Sequence, residues 1–519
     1  MSGCTIDSIK AMGKLSSGKV AEQQAAEWAP ATGQGRNANI FFYHASTNPK
    51  PGAPHTINAL LEEALEEFGY NLSSISYVET IQDKTTQNGL SFAMKEARRL
   101  ANLTSNAVDL ALYCDGGVQI CPPSKKNARH NVIFFHGMAR NVGIWSSNTD
   151  VDLYLANSLY LAEVLQGLLA MPRWQNGWRI DARTYYSVKS IRLGLPWLST
   201  SCLDQDDRKA LSQLPPAVEQ AMKEDVLLGH SLQPGKSDKF AHLEIMLYLS
   251  RVSAEQGRKA RLLVTEVDLA SLETYLLDPT NPWALRLHDQ LKQEGLRLKD
   301  LLIPMPRLPR KQLFRIFQSC TFGLSYNVVP EAFGIYVLES VFHGCPVYTN
   351  GSGNMRHVLP ENNGINVIES EAMVFGARKG YNEVGDRIVH DSTVGRDTIK
   401  KACARGRDFI MKNYCHDTMM KDLSACLSSL EHKEQASIKT LDSEQLTIRL
   451  GPLVRSWNHL SGAIISDLAN EVLPPHKHAL IHGILGRKAD DVITALGTTD
   501  LALVDELFCA GILALVPGD

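Results

Sequence analysis

Two glutamates, Glu331 and Glu339, stand with seven residues between them in the stretch Val329-Pro330-Glu331-Ala332-Phe333-Gly334-Ile335-Tyr336-Val337-Leu338-Glu339-Ser340. Ionised carboxylates only accept hydrogen bonds, so such a pair suits a ligand rich in hydroxyls. Pro330 keeps Val329 out of helical geometry. A helix is expected to start near Ala332 or Phe333. Its first backbone N–H groups lack intrahelical partners and lie at a positive dipole end. A diphosphate is the natural guest there, and Gly334, without a Cβ, lets it approach the backbone. Glu331 then sits just ahead of the helix. Glu339, eight residues on, is rotated by about 800° and lies deeper along it, while Ile335, Leu338 and Phe342 face a sheet. A glutamate at a helix N-terminus is also favourable for the dipole alone. The flanking Phe333-Gly334 and Gly344-Cys345-Pro346-Val347 weigh toward a site.

Placing these groups requires a strand on either side, and the chain supplies it. Residues 321–326 read as a buried strand before the motif, and 346–348 as another after it. Further short apolar runs lie at 38–44, 75–78, 108–114, 132–135, 153–156 and 190–195, then at 226–229, 261–266, 301–303 and 365–368. Helical patterns separate most of them; Ile57, Leu60, Leu61, Ala64, Leu65 and Phe68, closed by Gly69, are one example. This is the β-α-β rhythm of parallel sheets covered on both faces. The rhythm pauses at 203–224, around Pro215-Pro216. The expected fold class is therefore α/β, with two Rossmann-like domains facing a cleft. Ligands of such sheets bind beyond the carboxyl ends of the strands, where strand order reverses, and the loop after Tyr326 is such a place.

The expected domains are a tail at 1–36, a first Rossmann-like domain at 37–215, a second at 216–432, a polar linker at 433–444 and a small, mostly helical module at 445–519. In the module, Leu480, Ile481, Ile484 and Leu485, then Val492, Ile493, Ala495 and Leu496, then 501–507 suggest three short helices, and 511–516 a strand. That order resembles a winged helix. The segment is not notably basic, which favours protein or peptide contact, or dimerisation, over nucleic acid.

Composition narrows the class. The chain has 519 residues, 44% hydrophobic and 21% charged, with a net charge of -3. That length implies more than one core. The charge offers no basis for binding nucleic acid or an anionic membrane. No apolar run approaches the ~18 residues that span a bilayer, and Lys10, Lys14 and Lys19 precede no apolar signal segment. The ten cysteines are scattered without a C-x-x-C pair and read as reduced thiols, so a cytoplasmic location is expected. No metal motif is evident.

The Glu331/Glu339 stretch resembles the E-x7-E signature of the retaining family 4 glycosyltransferases, which have the GT-B fold. The resemblance covers roughly residues 38–430. It implies that Glu331 contacts the transferred sugar and Glu339 the ribose of a nucleotide-sugar donor. Ala332-Phe333-Gly334-Ile335 matches the Gly-Phe-Gly-Leu common between them, so Phe333, Gly334 and Ile335 are donor-binding by resemblance. Asn350-Gly351-Ser352-Gly353-Asn354-Met355-Arg356 is similar to the family's glycine-containing phosphate loop and adds Gly353 and Arg356, although a glutamate is common at the arginine. Gly229-His230-Ser231-Leu232-Gln233-Pro234-Gly235-Lys236 is similar to the segment whose basic pair neutralises the diphosphate. Lys236 matches its lysine, and His230 stands where arginine is usual. Val132-Ile133-Phe134-Phe135-His136-Gly137 resembles the strand whose terminal histidine faces the donor sugar. Ser158 is expected to cap a helix. The loop 48–54 has three prolines where the family offers consecutive glycines.

The resemblance thus implies a retaining hexosyltransferase. Lys236 and the helix N-terminus stabilise the leaving diphosphate, Glu331, Lys236 and His136 form the catalytic set, and neither metal nor cofactor is required. A UDP-sugar is the first choice of donor, with GDP- or ADP-sugars as alternatives. The acceptor is a small molecule, glycan or peptide. Rival readings are a nucleotide-sugar epimerase or phosphorylase of the same fold, and a protein that binds nucleotide sugar or a partner without turnover.

Overall fold

The computed structural model describes residues 35–42, 53–76, 107–114, 123–137, 150–170, 178–199, 214–232, 236–369, 380–431, 440–458, 460–467 and 470–518. Most of the expected N-terminal tail and of the 48–54 loop, residues 233–235 and the first part of the expected linker lie outside them.

The first domain is built on β1 (Arg36–Phe42), β2 (Tyr70–Ser76), β3 (Val108–Cys114), β4 (Ala128–Phe135) and β5 (Leu153–Ala156). After the two-residue β6 (Ile180–Asp181) it adds β7 (Val188–Ser190). Six of these strands pair in parallel in the order β2-β1-β3-β4-β5-β7. The second domain carries β8 (Val226–Ser231), β9 (Lys259–Thr265), β10 (Leu302–Met305), β11 (Phe322–Ser325), β12 (Val347–Thr349) and β13 (Ile365–Val367). They form a parallel sheet ordered β10-β9-β8-β11-β12-β13. Strands such as Val132–Phe135 read as continuous apolar runs because helices cover both faces, and these residues are indeed buried. The expected architecture of two Rossmann-like parallel sheets is the one observed.

Helices α1 (Ala53–Glu67) and α2 (Leu159–Ala170) belong to the first domain, and α3 (Lys239–Ala254), α4 (Arg310–Ser319) and α5 (Ile335–Phe342) to the second. Helix α6 (His416–Glu431) follows the second domain and returns to the first, where Arg36 binds Glu431 at 2.8 Å. In the second sheet the strand order reverses between β8 and β11, which pair in parallel through Gly229–Phe322 and His230–Gly323. The loops beyond these two strands therefore define the crevice that a doubly wound sheet offers to ligands.

The motif helix begins later than expected. Helix α5 starts at Ile335, and Gly334 precedes it with φ 105°, a left-handed conformation that a side chain would disfavour. Residues 331–333 are held outside the helix instead. Glu331 makes a parallel bridge to Gly353, Asn354 N donates to Glu331 O at 2.6 Å, and Asn354 Nδ2 donates to Phe333 O at 2.6 Å. The rotation of about 800° expected between the glutamates therefore does not apply, because only Glu339 lies on the helix.

The C-terminal region is tied into the rest of the chain. Strand β14 (Thr440–Leu441), inside the expected linker, pairs antiparallel with β6 of the first domain. Beyond it, β15 (Leu446–Leu450) precedes a meander of β16 (Val454–Trp457), β17 (Ala463–Ser466) and β18 (Asn470–Val472). Then come α7 (Pro475–Ile484), α8 (Ala489–Ala495), α9 (Thr498–Cys509) and β19 (Leu513–Pro517), which pairs antiparallel with β15. The three helices and the last strand fall where the hydrophobic pattern put them. The module shares one core with the first domain: Trp178 and Ile180 pack with Ile481, Leu507 and Phe508. The indole N–H of Trp178 donates to Asp505 at 2.7 Å.

Candidate functional site

The crevice between β8 and β11 brings Lys236 to Glu331. The Lys236 ammonium donates to Glu331 Oε2 at 2.7 Å, with the lysine half-exposed and the carboxylate nearly buried. Backbone contacts fix this meeting. Val328 N donates to Lys236 O at 2.9 Å and Asp238 N to Tyr326 O at 2.7 Å, while Ser237 bridges Asn327. Asp238 also caps α3 through Phe240 N and Ala241 N, which anchors the far end of the lysine loop. An ammonium and a carboxylate at the positive end of α5 offer one donor for an anion and one acceptor for hydroxyls.

Glu339 lies one turn into α5, and its environment was not foreseen. Its Oε1 accepts from the indole N–H of Trp197 at 2.9 Å and from Arg310 Nε at 3.0 Å. The Arg310 guanidinium lies 3.7 Å above the Trp197 ring. Burial pushes the Glu339 carboxyl up to about 7, although the Arg310 charge and the Trp197 hydrogen bond act in the other direction. Arg310 opens α4, shortly after β10. Trp197 comes from the segment joining the two domains, where no periodicity or motif marks it.

His230 is corrected by the structure. It was expected to share the diphosphate's charge with Lys236, but its ring is fully buried beneath α5. Nδ1 meets the Tyr336 hydroxyl at 2.8 Å and Nε2 the Ser340 hydroxyl at 3.1 Å. Burial pushes the imidazole down to about 3, so it is neutral at physiological pH. Gly323 on β11 makes room for it, since a Cβ there would stand 2.7 Å from the ring. His230 ties β8 to the motif helix and offers no charge to the crevice.

Arg356 also has other partners than the expected phosphate. Its guanidinium donates to Pro452 O at 2.6 Å, Gly351 O at 3.1 Å and Asp467 Oδ2 at 3.3 Å. Asp467, from the end of the β17 turn, has a fully buried carboxylate. It also accepts from Gly353 N at 2.9 Å, Ser352 Oγ at 3.2 Å and the Tyr160 hydroxyl at 2.8 Å. Arg455 lies 3.4 Å from it and 2.6 Å from Glu369. A carboxylate of the module thus occupies the glycine loop, and the module joins both Rossmann-like domains there. Reading the last 75 residues as a separate unit hid this contact.

The first domain contributes His136 after β4. Its Nε2 lies 2.7 Å from Asn58 Oδ1 of α1, and its carbonyl accepts from Asn157 at 2.9 Å. The neighbouring Gly137 faces Ala332 of the motif. Ser158 caps α2 through Leu161 N at 3.1 Å, as expected, and additionally donates to Ala332 O at 2.5 Å, joining the two domains across the cleft. Phe333 and Ala332 are buried, and Phe333 meets Tyr414 edge-on at 5.7 Å. Phe333 serves packing, while Gly334 and Ile335 form the entry to α5. Among the described residues no group of His, Cys, Asp and Glu is arranged to hold a metal, and no described helix is long and apolar enough to cross a membrane.

Neither a family model nor a curated protein sequence matches the chain. Solved structures do. A glycosyltransferase from Rickettsia africae is 14% identical, aligned over 77% of this chain and 99% of its own, with a TM-score of 0.51. The N-terminal domain of Candida albicans trehalose-6-phosphate phosphatase is 10% identical over 77% and 98%, with a TM-score of 0.52. Sucrose-phosphate synthase from Thermosynechococcus elongatus is 11% identical over 76% and 99%, with a TM-score of 0.50. The fold is GT-B. In that frame, the Lys236–Glu331 pair and Glu339 lie in the second domain, and His136 lies on the first domain's side of the cleft.

Proposed function

We propose that the chain is a glycosyltransferase that moves a sugar from a nucleotide-diphosphate-sugar to an acceptor hydroxyl with retention at the anomeric carbon. The observation that carries this reading is the Lys236–Glu331 pair at 2.7 Å, set where the strand order reverses and ahead of the α5 N-terminus. The GT-B fold, shared with proteins named as a glycosyltransferase and a sucrose-phosphate synthase, supports it. Glu331 accepts hydrogen bonds from the sugar's hydroxyls. Lys236 and the first amides of α5 meet the diphosphate and stabilise the charge that grows as it leaves. Glu339 accepts from the ribose, and backbone groups of 303–309, at and beyond the end of β10, receive the base, with uracil the first choice. His136, oriented by Asn58, faces the sugar from the first domain.

In the reaction the bond from the anomeric carbon to the diphosphate oxygen breaks, and a bond to the acceptor oxygen forms on the same face. The departing phosphate takes the acceptor's proton, so this reading calls for no protein nucleophile, metal or cofactor. Closure of the cleft excludes water and limits hydrolysis.

Calorimetric binding of UDP, GDP and ADP tests the donor site. One nucleotide is expected to bind, and to lose affinity in Glu339→Ala. Incubation with its common sugars and candidate acceptors, followed by NMR of the product anomer, tests transfer and retention. No binding of any nucleoside diphosphate at millimolar concentration would overturn the reading. Binding without any transfer would favour the second reading, a GT-B protein that holds a nucleotide sugar without turnover. The buried His230 and the engaged Arg356, both standing at expected diphosphate contacts, favour that reading.

A further inference from the structure

We propose that Trp197 is a positioning residue for the ribose-binding carboxylate: its indole N–H and Arg310 together hold one oxygen of Glu339 and leave the other for the ribose diol. This rests on the nucleotide-sugar reading above.

Both donors fall on the same oxygen. The Trp197 indole is 2.9 Å and Arg310 Nε 3.0 Å from Oε1, and no hydrogen bond to Oε2 is formed among the described residues. A glutamate's terminal torsion is broad when unrestrained. Two donors converging on one oxygen set it, and with it the direction of the second oxygen's lone pairs. The donors are themselves held. The Arg310 Cζ lies over the indole, 3.7 Å from the ring centroid, a cation–π contact that holds the two side chains together. The segment carrying the ring is fastened on either side of Pro196. Leu195 N donates to Tyr414 O at 2.8 Å, and Leu198 N to Leu195 O at 2.8 Å. Leu195 and Leu198 are buried, whereas the ring of Trp197 is only partly so.

The source of Trp197 gives the contact its meaning. Glu339 is on α5 of the second domain, and Trp197 lies on the segment that connects the domains. A nucleotide-binding group of one domain is thus aimed by a residue whose place depends on how the two domains meet. A merely structural indole would stabilise the fold and leave ligand discrimination untouched. A positioning indole makes recognition of the ribose hydroxyls depend on its N–H.

The test compares UDP with 2′-deoxy-UDP and 3′-deoxy-UDP, and likewise the adenosine and guanosine series, by calorimetry on the full chain. The variants are Trp197→Phe, which keeps an aromatic face for Arg310 and removes the N–H, and Arg310→Gln, which removes the second donor. Circular dichroism checks that each is folded. The wild type is expected to prefer the ribonucleotide over at least one deoxy form by about tenfold or more, the scale of a hydrogen bond to a charged group. In Trp197→Phe this preference shrinks several-fold while affinity for that deoxy form changes little, and Arg310→Gln acts in the same direction. Removing a donor from the carboxylate also moves the pH midpoint of UDP binding upward in Trp197→Phe. If ribo and deoxy affinities fall equally, stay unchanged or rise in Trp197→Phe, the positioning role is overturned and the donor-site reading stands. If no nucleotide binds either the wild type or Trp197→Phe, both are overturned. Should Trp197→Phe misfold, an unchanged ribose preference in folded Arg310→Gln overturns the proposal.

Discussion

At the scale of single residues, Glu339 sets two opposite pH dependences. Burial raises its carboxyl to about 7 from an ordinary value near 4.5. Between these values the folded state holds a proton that the unfolded state has lost, so stability falls as pH rises across that window. The slope is about 1.4 kcal/mol per pH unit for one such group. On the proposed function, recognition of ribose hydroxyls needs the charged acceptor, so nucleotide binding is expected to improve as pH rises through about 7. Denaturant titrations from pH 4.5 to 8 are expected to show the falling slope in the wild type and a flatter profile in Glu339→Gln. Lys236 and His230, both expected to carry charge to a diphosphate, separate cleanly. Lys236→Ala is expected to lower turnover by about 10²–10³-fold, the usual effect of losing one group that stabilises transition-state charge. His230→Leu leaves the Tyr336 and Ser340 hydroxyls short of a buried partner and is expected to cost about 1–3 kcal/mol of stability. UDP affinity of the folded His230→Leu variant is expected to be unchanged; a large loss would return His230 to the ligand. Residue type and position singled out Lys236 and the two glutamates, and the structure brings Lys236 to Glu331. His230 was misjudged because a strand's alternation does not say which side its last residues turn when both faces are buried.

At the scale of elements, the short bridge between Glu331 and Gly353 governs the site more than the helix does. It holds Glu331 in extended backbone against Lys236 and delays α5 until Gly334. Gly353 has φ 65°, and a Cβ on it would stand 2.3 Å from Glu331 O and 2.5 Å from Glu331 N. Gly353→Ala must break this bridge. A loss of about 2–4 kcal/mol in denaturant stability is expected, the upper range for a single substitution that strains backbone, and turnover should fall with it. Retained stability in that variant would mean that the loop can rearrange freely. The glycines of this segment stood out in the sequence, and so did the strands on either side. Their pairing with residue 331 did not, because a bridge between non-adjacent segments leaves no periodic trace. The start of the helix was misplaced for the same reason: Pro330 marks where a helix cannot yet run, and only the Gly353 contact decides how far the delay extends.

At the scale of the whole molecule, the C-terminal module is a structural member of the GT-B body. Asp467 joins Tyr160 of the first domain, Gly353 and Arg356 of the second and Arg455 of its own module. Removing it leaves the nearly buried Arg356 guanidinium without its carboxylate, while Arg455 keeps Glu369. Asp467→Ala is expected to cost about 3–5 kcal/mol, the range for breaking a buried ion pair from one side. Deleting the chain after Leu441 also uncovers Trp178 and Ile180 and is expected to lower the melting temperature of the remainder sharply. An unchanged melting temperature would show instead that the module is an independent appendage. The two sheets and their strand spans were legible because each buried parallel strand is a local apolar run. The module's role was not, since it depends on one aspartate whose partners in the two Rossmann-like domains lie more than a hundred residues upstream.

That separation has a consequence for how the molecule is made. Arg356 precedes Asp467 by 111 positions, which at ribosomal speeds of about 5–20 residues per second is roughly 5–20 s of synthesis. Through most of that interval a nascent chain carries the strands of both Rossmann-like sheets, with a guanidinium and a glycine loop still waiting for their carboxylate. The glycine loop is thus completed late in translation, and a polypeptide released before Asp467 is left with an unfinished loop beside Glu331.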